Sequence, residues 1–205
     1  MSLLDHGRFL ALACGAITIA SVALAAPGGF DEASLRSVIR FTARVSLIFF
    51  LLAFVASAAH QLWRAPLTAW MRRNRRYLGL TFAYSHLVHA VAIYAAWRLA
   101  SPADAAEIAT RSMLIFGGIG YLCILLMSAT SFDGAVRALG FARWRMLHLI
   151  CGHYLWFQFL IAFGKRVPDQ PAYAGFIALI AAAMAIRIAG KRVNVAQQAT
   201  TLRTV

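Results

Sequence analysis

The sequence predicts an all-α, polytopic membrane protein: a six-transmembrane-helix bundle with both termini cytoplasmic. Three observations carry that expectation. Of 205 residues, 61% are hydrophobic and only 13% charged, with a mean hydropathy of +0.71, whereas soluble domains run nearer half apolar and a quarter charged. A soluble chain of this length would need a polar exterior that these residues cannot supply. Six separate apolar runs are long enough to cross a bilayer, which takes about 20 helical residues. The charge, +13 from 20 Lys+Arg against 7 Asp+Glu, is gathered between those runs, as in loops facing anionic lipid. The lipid bilayer is the partner this pattern implies, and no nucleic acid, which a soluble chain of the same charge would suggest.

The first run, 9–26, ends in Ala23-Leu24-Ala25, which resembles a signal cleavage site, but its length suits a retained span. Pro27-Gly28-Gly29 breaks it. The second run, 45–63, meets a basic segment at 64–76, and the third, 77–99, stops at Ser101-Pro102. The fourth, 108–129, is separated from the fifth, 141–163, by the polar stretch 133–140. A segment with two prolines, 165–171, leads into the sixth, 172–188. No soluble domain fits between them, so 1–205 reads as a single membrane domain. Each span must satisfy its own backbone within lipid, which makes all six helices. Small residues at Ala95-Ala96, at Gly117, Gly118 and Gly120, and at 181–183 allow close helix approach.

Orientation follows from where Lys and Arg fall. Arg64, Arg72, Arg73, Arg75 and Arg76 lie in the second connection, and Arg137, Arg143 and Arg145 in the fourth. Lys191, Arg192 and Arg203 follow the last span. The first and third connections are charge-balanced, and the fifth, with Lys165, Arg166 and Asp169, is weakly basic. Both termini are therefore expected inside, with the third and fifth helices parallel. Cys14, Cys123 and Cys151 lie within apolar runs without CxxC spacing, so they read as small buried hydrophobes.

An ionisable residue inside a span is costly and marks function by default. Of the six histidines, His86 and His89 lie on the third helix and His148 and His153 on the fifth. His60 and His6 read as interfacial. Neutral imidazole is the commonest metal ligand and can bind haem iron. With each span centred on one midplane, His86 and His148 differ by roughly 3 Å in depth, His89 and His148 by roughly 8 Å, and His89 and His153 are level. That places all four histidines in one mid-membrane layer. The pattern leaves open a proton-relay transporter, a non-haem metal site on imidazole alone, and a cofactor-free assembly subunit whose histidines only bond between helices.

The third helix reads Arg75-Arg76-Tyr77-Leu78-Gly79-Leu80, with Tyr84, His89 and Tyr94 beyond. The fifth opens Leu139-Gly140-Phe141-Ala142-Arg143-Trp144-Arg145-Met146-Leu147-His148, after Ser128-Ala129-Thr130-Ser131. Over residues 42–164 these motifs resemble the ferric-reductase-like transmembrane family, and within it the MsrQ-type branch of haem-binding membrane subunits. The resemblance implies haem b, with its iron held by His89 and His148, then His86, then His153 as alternatives. Arg44 and Arg76 are the candidate guanidinium partners of its propionates. The family commonly has a further histidine later on the fifth helix, where this chain has Leu160, Ile161 and Ala162; one haem is expected rather than two. Tyr84, Tyr154 and Gln158 would tune the potential from nearby. The implied role is electron transfer from quinol or a reductase partner to an acceptor protein across the bacterial inner membrane. With no Gly-rich nucleotide loop in the chain, it is expected to act as a subunit with a redox partner protein.

Overall fold

Glycines, prolines and caps cut the chain into helices where the sequence changes character. The computed structural model describes residues 6–108 and 110–203, and every regular element among them is helical. In order these are α1 (His6–Ala25), α2 (Glu32–Leu62), α3 (Pro66–Arg73), α4 (Arg75–Leu99), α5 (Pro102–Ile108), α6 (Arg111–Ala129), α7 (Asp133–Leu139), α8 (Phe141–Gly164) and α9 (Tyr173–Arg203). Six of them, α1, α2, α4, α6, α8 and α9, carry segments long and apolar enough to cross a membrane. The polytopic all-α class expected from composition is the one observed.

The α1–α2 turn shows how local chemistry sets a boundary. A short 3-10 turn over Ala26–Gly28 leads into Gly29 at φ 60° and Phe30 at φ 61°, two left-handed residues in succession that reverse the chain. The Asp31 carboxylate then accepts from the Ser34 backbone N–H at 2.8 Å and caps α2. That bond holds its carboxyl below the ordinary carboxylate range. The helix therefore begins at Glu32, well before the apolar run at 45. Its charged first part is helical because Glu32 and Arg36 pair one turn apart while Leu35, Val38 and Thr42 are buried.

Three connections hold short helices where breaks were expected. α3 starts with Pro66 in its first turn and buries Thr68 and Met71 while its arginines stay exposed. α5 and α7 occupy the third and fourth connections. Gly140, at φ 76°, separates α7 from α8.

α2 packs on α4 and on α9, and α8 joins α6 to α9. The core is aromatic at its centre: Phe159 of α8 stands 5.3 Å from Phe50, 6.1 Å from Phe82 and 6.1 Å from Phe163 between ring centroids. Buried Cys123 and Cys151 face each other across α6 and α8, within thiol hydrogen-bonding reach. Gly120 makes the expected close approach to α8, but a Cβ on Gly117 or Gly118 would meet nothing within 4 Å. Those two glycines face outward on α6. The tightest crossing lies elsewhere, at Gly190 of α9, where a Cβ would come 2.7 Å from the Ala58 Cβ.

Candidate functional site

Two partly buried histidines lie side by side on α4. His89 Nδ1 lies 3.1 Å from the Ile39 carbonyl and 3.0 Å from Thr42 Oγ1. A carbonyl can only accept, so Nδ1 carries the proton. The Thr42 hydroxyl hydrogen is already directed to the Val38 carbonyl at 2.7 Å, which leaves its oxygen to accept as well. His89 is therefore held in the tautomer whose Nε2 lone pair is free for a metal, as when a metal-binding histidine donates its other ring N–H to a carbonyl. His86 lies beside it with ring centroids 5.2 Å apart. Its Nδ1 is buried with no hydrogen-bond partner. Phe82, Tyr121 and Phe159 surround it at 5.4, 5.2 and 5.9 Å.

The two α8 histidines are differently committed. His148 Nε2 lies 3.0 Å from Thr130 Oγ1, whose own hydrogen goes to the Leu126 carbonyl at 2.7 Å. His148 therefore donates through Nε2. Its ring stacks on Trp144 at 4.5 Å, and the Trp144 indole donates to the Thr130 carbonyl at 2.8 Å. His153 donates through Nδ1 to the Leu149 carbonyl at 2.7 Å and meets Phe54 edge-on at 5.7 Å. Its Nε2, like that of His89, is free.

These contacts break up the single layer expected from sequence. Phe159 touches His86, and roughly 16 Å of helix rise separates Phe159 from His148 on α8. An independent route agrees. Tyr121 donates to the His86 carbonyl and Thr130 accepts from His148, and roughly 13 Å of α6 rise separates Tyr121 from Thr130. His86 and His89 form one pair on α4, His148 lies toward the α7 end of α8, and His153 falls between them, roughly 9 Å of rise from Phe159 and 8 Å from His148. His89 and His148 are thus not brought together, and the spans are staggered because aromatic interlock around Phe159, not hydropathy, sets their register.

The remaining expected residues divide. Arg76 pairs through one nitrogen with Asp133 at the start of α7. Arg44 donates to the Tyr173 hydroxyl at 3.2 Å. Tyr154 and Gln158 both donate to the Phe116 carbonyl of α6, at 2.8 and 2.6 Å, and the Tyr84 hydroxyl bonds Thr18 at 2.6 Å. These three polar side chains lock helices together and do not face the histidines. His60 bonds Thr68 at 3.2 Å and His6 meets Tyr77 edge-on at 5.7 Å, where the chain turns between spans. Among the described residues no three His, Cys, Asp or Glu side chains converge. Sequence reasoning missed Tyr121 and Thr42; each neighbours a histidine only through tertiary packing.

Known proteins share this frame. The family of ferric reductase like transmembrane components matches residues 42–162. The chain is 31% identical over 151 residues to the protein-methionine-sulfoxide reductase heme-binding subunit MsrQ of Polaromonas naphthalenivorans, covering 70% of this chain and 67% of that protein. The protein of the same name from Azospira oryzae is 38% identical over 124 residues, 54% of this chain and 50% of its own length. That from Salmonella arizonae is 30% identical over 172 residues, 78% and 80% of the two chains. No solved structure matches. The matched segment runs from Thr42, which holds His89, to the end of α8, and so contains both histidine pairs. This chain belongs to the ferric reductase like transmembrane component family.

Proposed function

We propose that this protein is a haem-b-holding electron-transfer subunit of the bacterial inner membrane, with His89 as its principal iron ligand. The observation that carries this is the His89 ring itself, anchored through Nδ1 by Ile39 and Thr42 with Nε2 unengaged. The unpartnered Nδ1 of His86 beside it supports a group that occupies this layer when bound. The residues fit one haem on one histidine. In this reading His148, bonded to Thr130 and roughly 16 Å of rise from the Phe159 level, is not the second ligand. Relatives named as heme-binding subunits of a methionine sulfoxide reductase support the cofactor class and a redox partner protein.

Bound haem supplies a reversible one-electron couple. This chain's part is to bind and insulate. His89 orients the ligand nitrogen, while Phe82, Tyr121 and Phe159 keep water from the layer. The outward depth of His86 and His89 suits delivery to an acceptor on the non-cytoplasmic face, with quinol or a reductase partner as source.

A reduced-minus-oxidised spectrum of the detergent-solubilised protein tests the reading. Haem b bands are expected, lost by at least tenfold in His89→Ala and largely kept in His148→Ala. Absence of the bands in the wild-type protein rejects the cofactor; full occupancy in His89→Ala rejects the ligand.

A further inference from the structure

Arg44, Arg166 and Tyr173 come from α2, from the α8–α9 connection and from the first residue of α9, and they meet at one atom. Arg44 Nη2 and Arg166 Nη1 each donate to the Tyr173 hydroxyl oxygen at 3.2 Å. Their guanidinium carbons stand 5.5 and 5.6 Å from the tyrosine ring centroid. One phenol oxygen uses few of the five N–H donors that each guanidinium carries. The ion pairs among the described residues are Arg36–Glu32 and Arg76–Asp133, so no described carboxylate neutralises this trio. Two like charges on a neutral oxygen repel, and a bound anion relieves that repulsion while taking the spare donors.

The hub is rigid and the charges are accessible. Tyr173 is 3% exposed, its ring packed on Phe163 and Phe176 at 5.6 Å each, whereas Arg44 and Arg166 are exposed. Gly164 ends one apolar span and Tyr173 begins the next, which puts the trio at the level where acyl chains give way to headgroups. Arg44 leaves α2 roughly 200° around the helix from Thr42, whereas Arg166 is near enough to His89 for its charge to act on that ring.

We propose that Arg44, Arg166 and Tyr173 form a phosphate-binding site that holds the headgroup of an anionic phospholipid. Its chemistry is bidentate: guanidinium forks match the paired oxygens of a phosphodiester, and the tyrosine spaces them. The proposal does not require the haem reading.

The test is native mass spectrometry of the full-length protein in neutral detergent, titrated with phosphatidylglycerol or phosphatidylcholine. At least tenfold tighter retention of phosphatidylglycerol is expected, lost in the double variant Arg44→Gln, Arg166→Gln. Tyr173→Phe keeps the ring packing and removes only the hydroxyl; it should weaken retention several-fold in a protein whose helix content and elution are unchanged. Equal retention of the two lipids, or an unaltered preference in the double variant, overturns the site. Displacement of phosphatidylglycerol by inorganic phosphate at low millimolar concentration overturns the lipid assignment and gives the site to a soluble anion. A changed haem potential with unchanged lipid retention in the double variant also overturns it, assigning the arginines to cofactor carboxylates.

Discussion

An imidazole that donates through Nδ1 has only Nε2 left to offer, and the two acceptors of His89 make that choice redundantly. Ile39 contributes a backbone carbonyl that substitution cannot remove; Thr42 contributes a hydroxyl that it can. Thr42→Val keeps the shape and deletes the acceptor. Loss of such a supporting contact typically costs 10- to 100-fold in affinity; with the carbonyl retained, about a tenfold weaker haem affinity is expected. Haem titration into the apo-protein measures this, and Thr42→Ser should restore it. An unchanged affinity would mean that Ile39 alone orients the ring. His148 is held differently, its Nε2 directed to Thr130. Arg187 illustrates how a guanidinium survives in a span without a carboxylate. It lies 4.0 Å over the Phe54 ring and donates to the Phe54 carbonyl at 2.8 Å, a cation–π contact and a backbone bond together.

Between elements, the α2–α9 crossing depends on a single missing methyl group. The Cβ of an alanine at 190 would lie 2.7 Å from the Ala58 Cβ and 2.9 Å from its Cα. Backbone atoms cannot rotate away, so the helices must separate. Two opposed effects then compete. Alanine gains about 1 kcal/mol over glycine in helix propensity, while overpacking costs typically 1–3 kcal/mol. Strain against backbone puts the cost at the upper end, and Gly190→Ala should lose about 1–2 kcal/mol net. A lowered melting temperature in detergent is the readout, with partial rescue by Ala58→Gly; a raised one would show that α9 shifts freely. None of this was legible beforehand. Gly117 and Gly118 look like a packing motif and face outward, whereas Gly190 sits in an unremarkable sequence and carries the contact. Small-residue patterns say where helices could approach; only the partner's side says where they do.

Across the whole molecule, what hydropathy governs was readable and what side-chain interlock governs was not. Span number and helical class follow from runs of apolar residues, each of which must solve its own backbone problem locally. The relative depth of neighbouring spans is a non-local property. Centring each run on one midplane put His89 level with His153; the Phe50–Phe82–Phe159 cluster instead fixes a stagger that separates His86 and His89 from His148. Arg76 likewise gave no sign of Asp133, which is distant in sequence and near in space. Sidedness rests on the distribution of Lys and Arg alone, and we propose both termini in the cytoplasm on that basis. Ala103→Cys, in the third connection, should react with a membrane-impermeant maleimide in intact cells, and Gly134→Cys, in α7, only after lysis. The reverse pattern would invert the protein and place the His86–His89 pair toward the cytoplasm.

The length of α2 has a mechanical implication. At 31 residues it measures about 46 Å, against a hydrocarbon core of about 30 Å. It must lean or stand proud of the lipid, and its early start at Glu32 makes the excess polar and able to emerge. Since α2 carries Ile39 and Thr42 at one depth and Phe54 at another, its lean sets how far the histidines at each depth lie from the membrane faces. Bilayers of different thickness would change that lean first, so membrane thickness becomes a variable that reaches the His89 layer without touching any of its contacts.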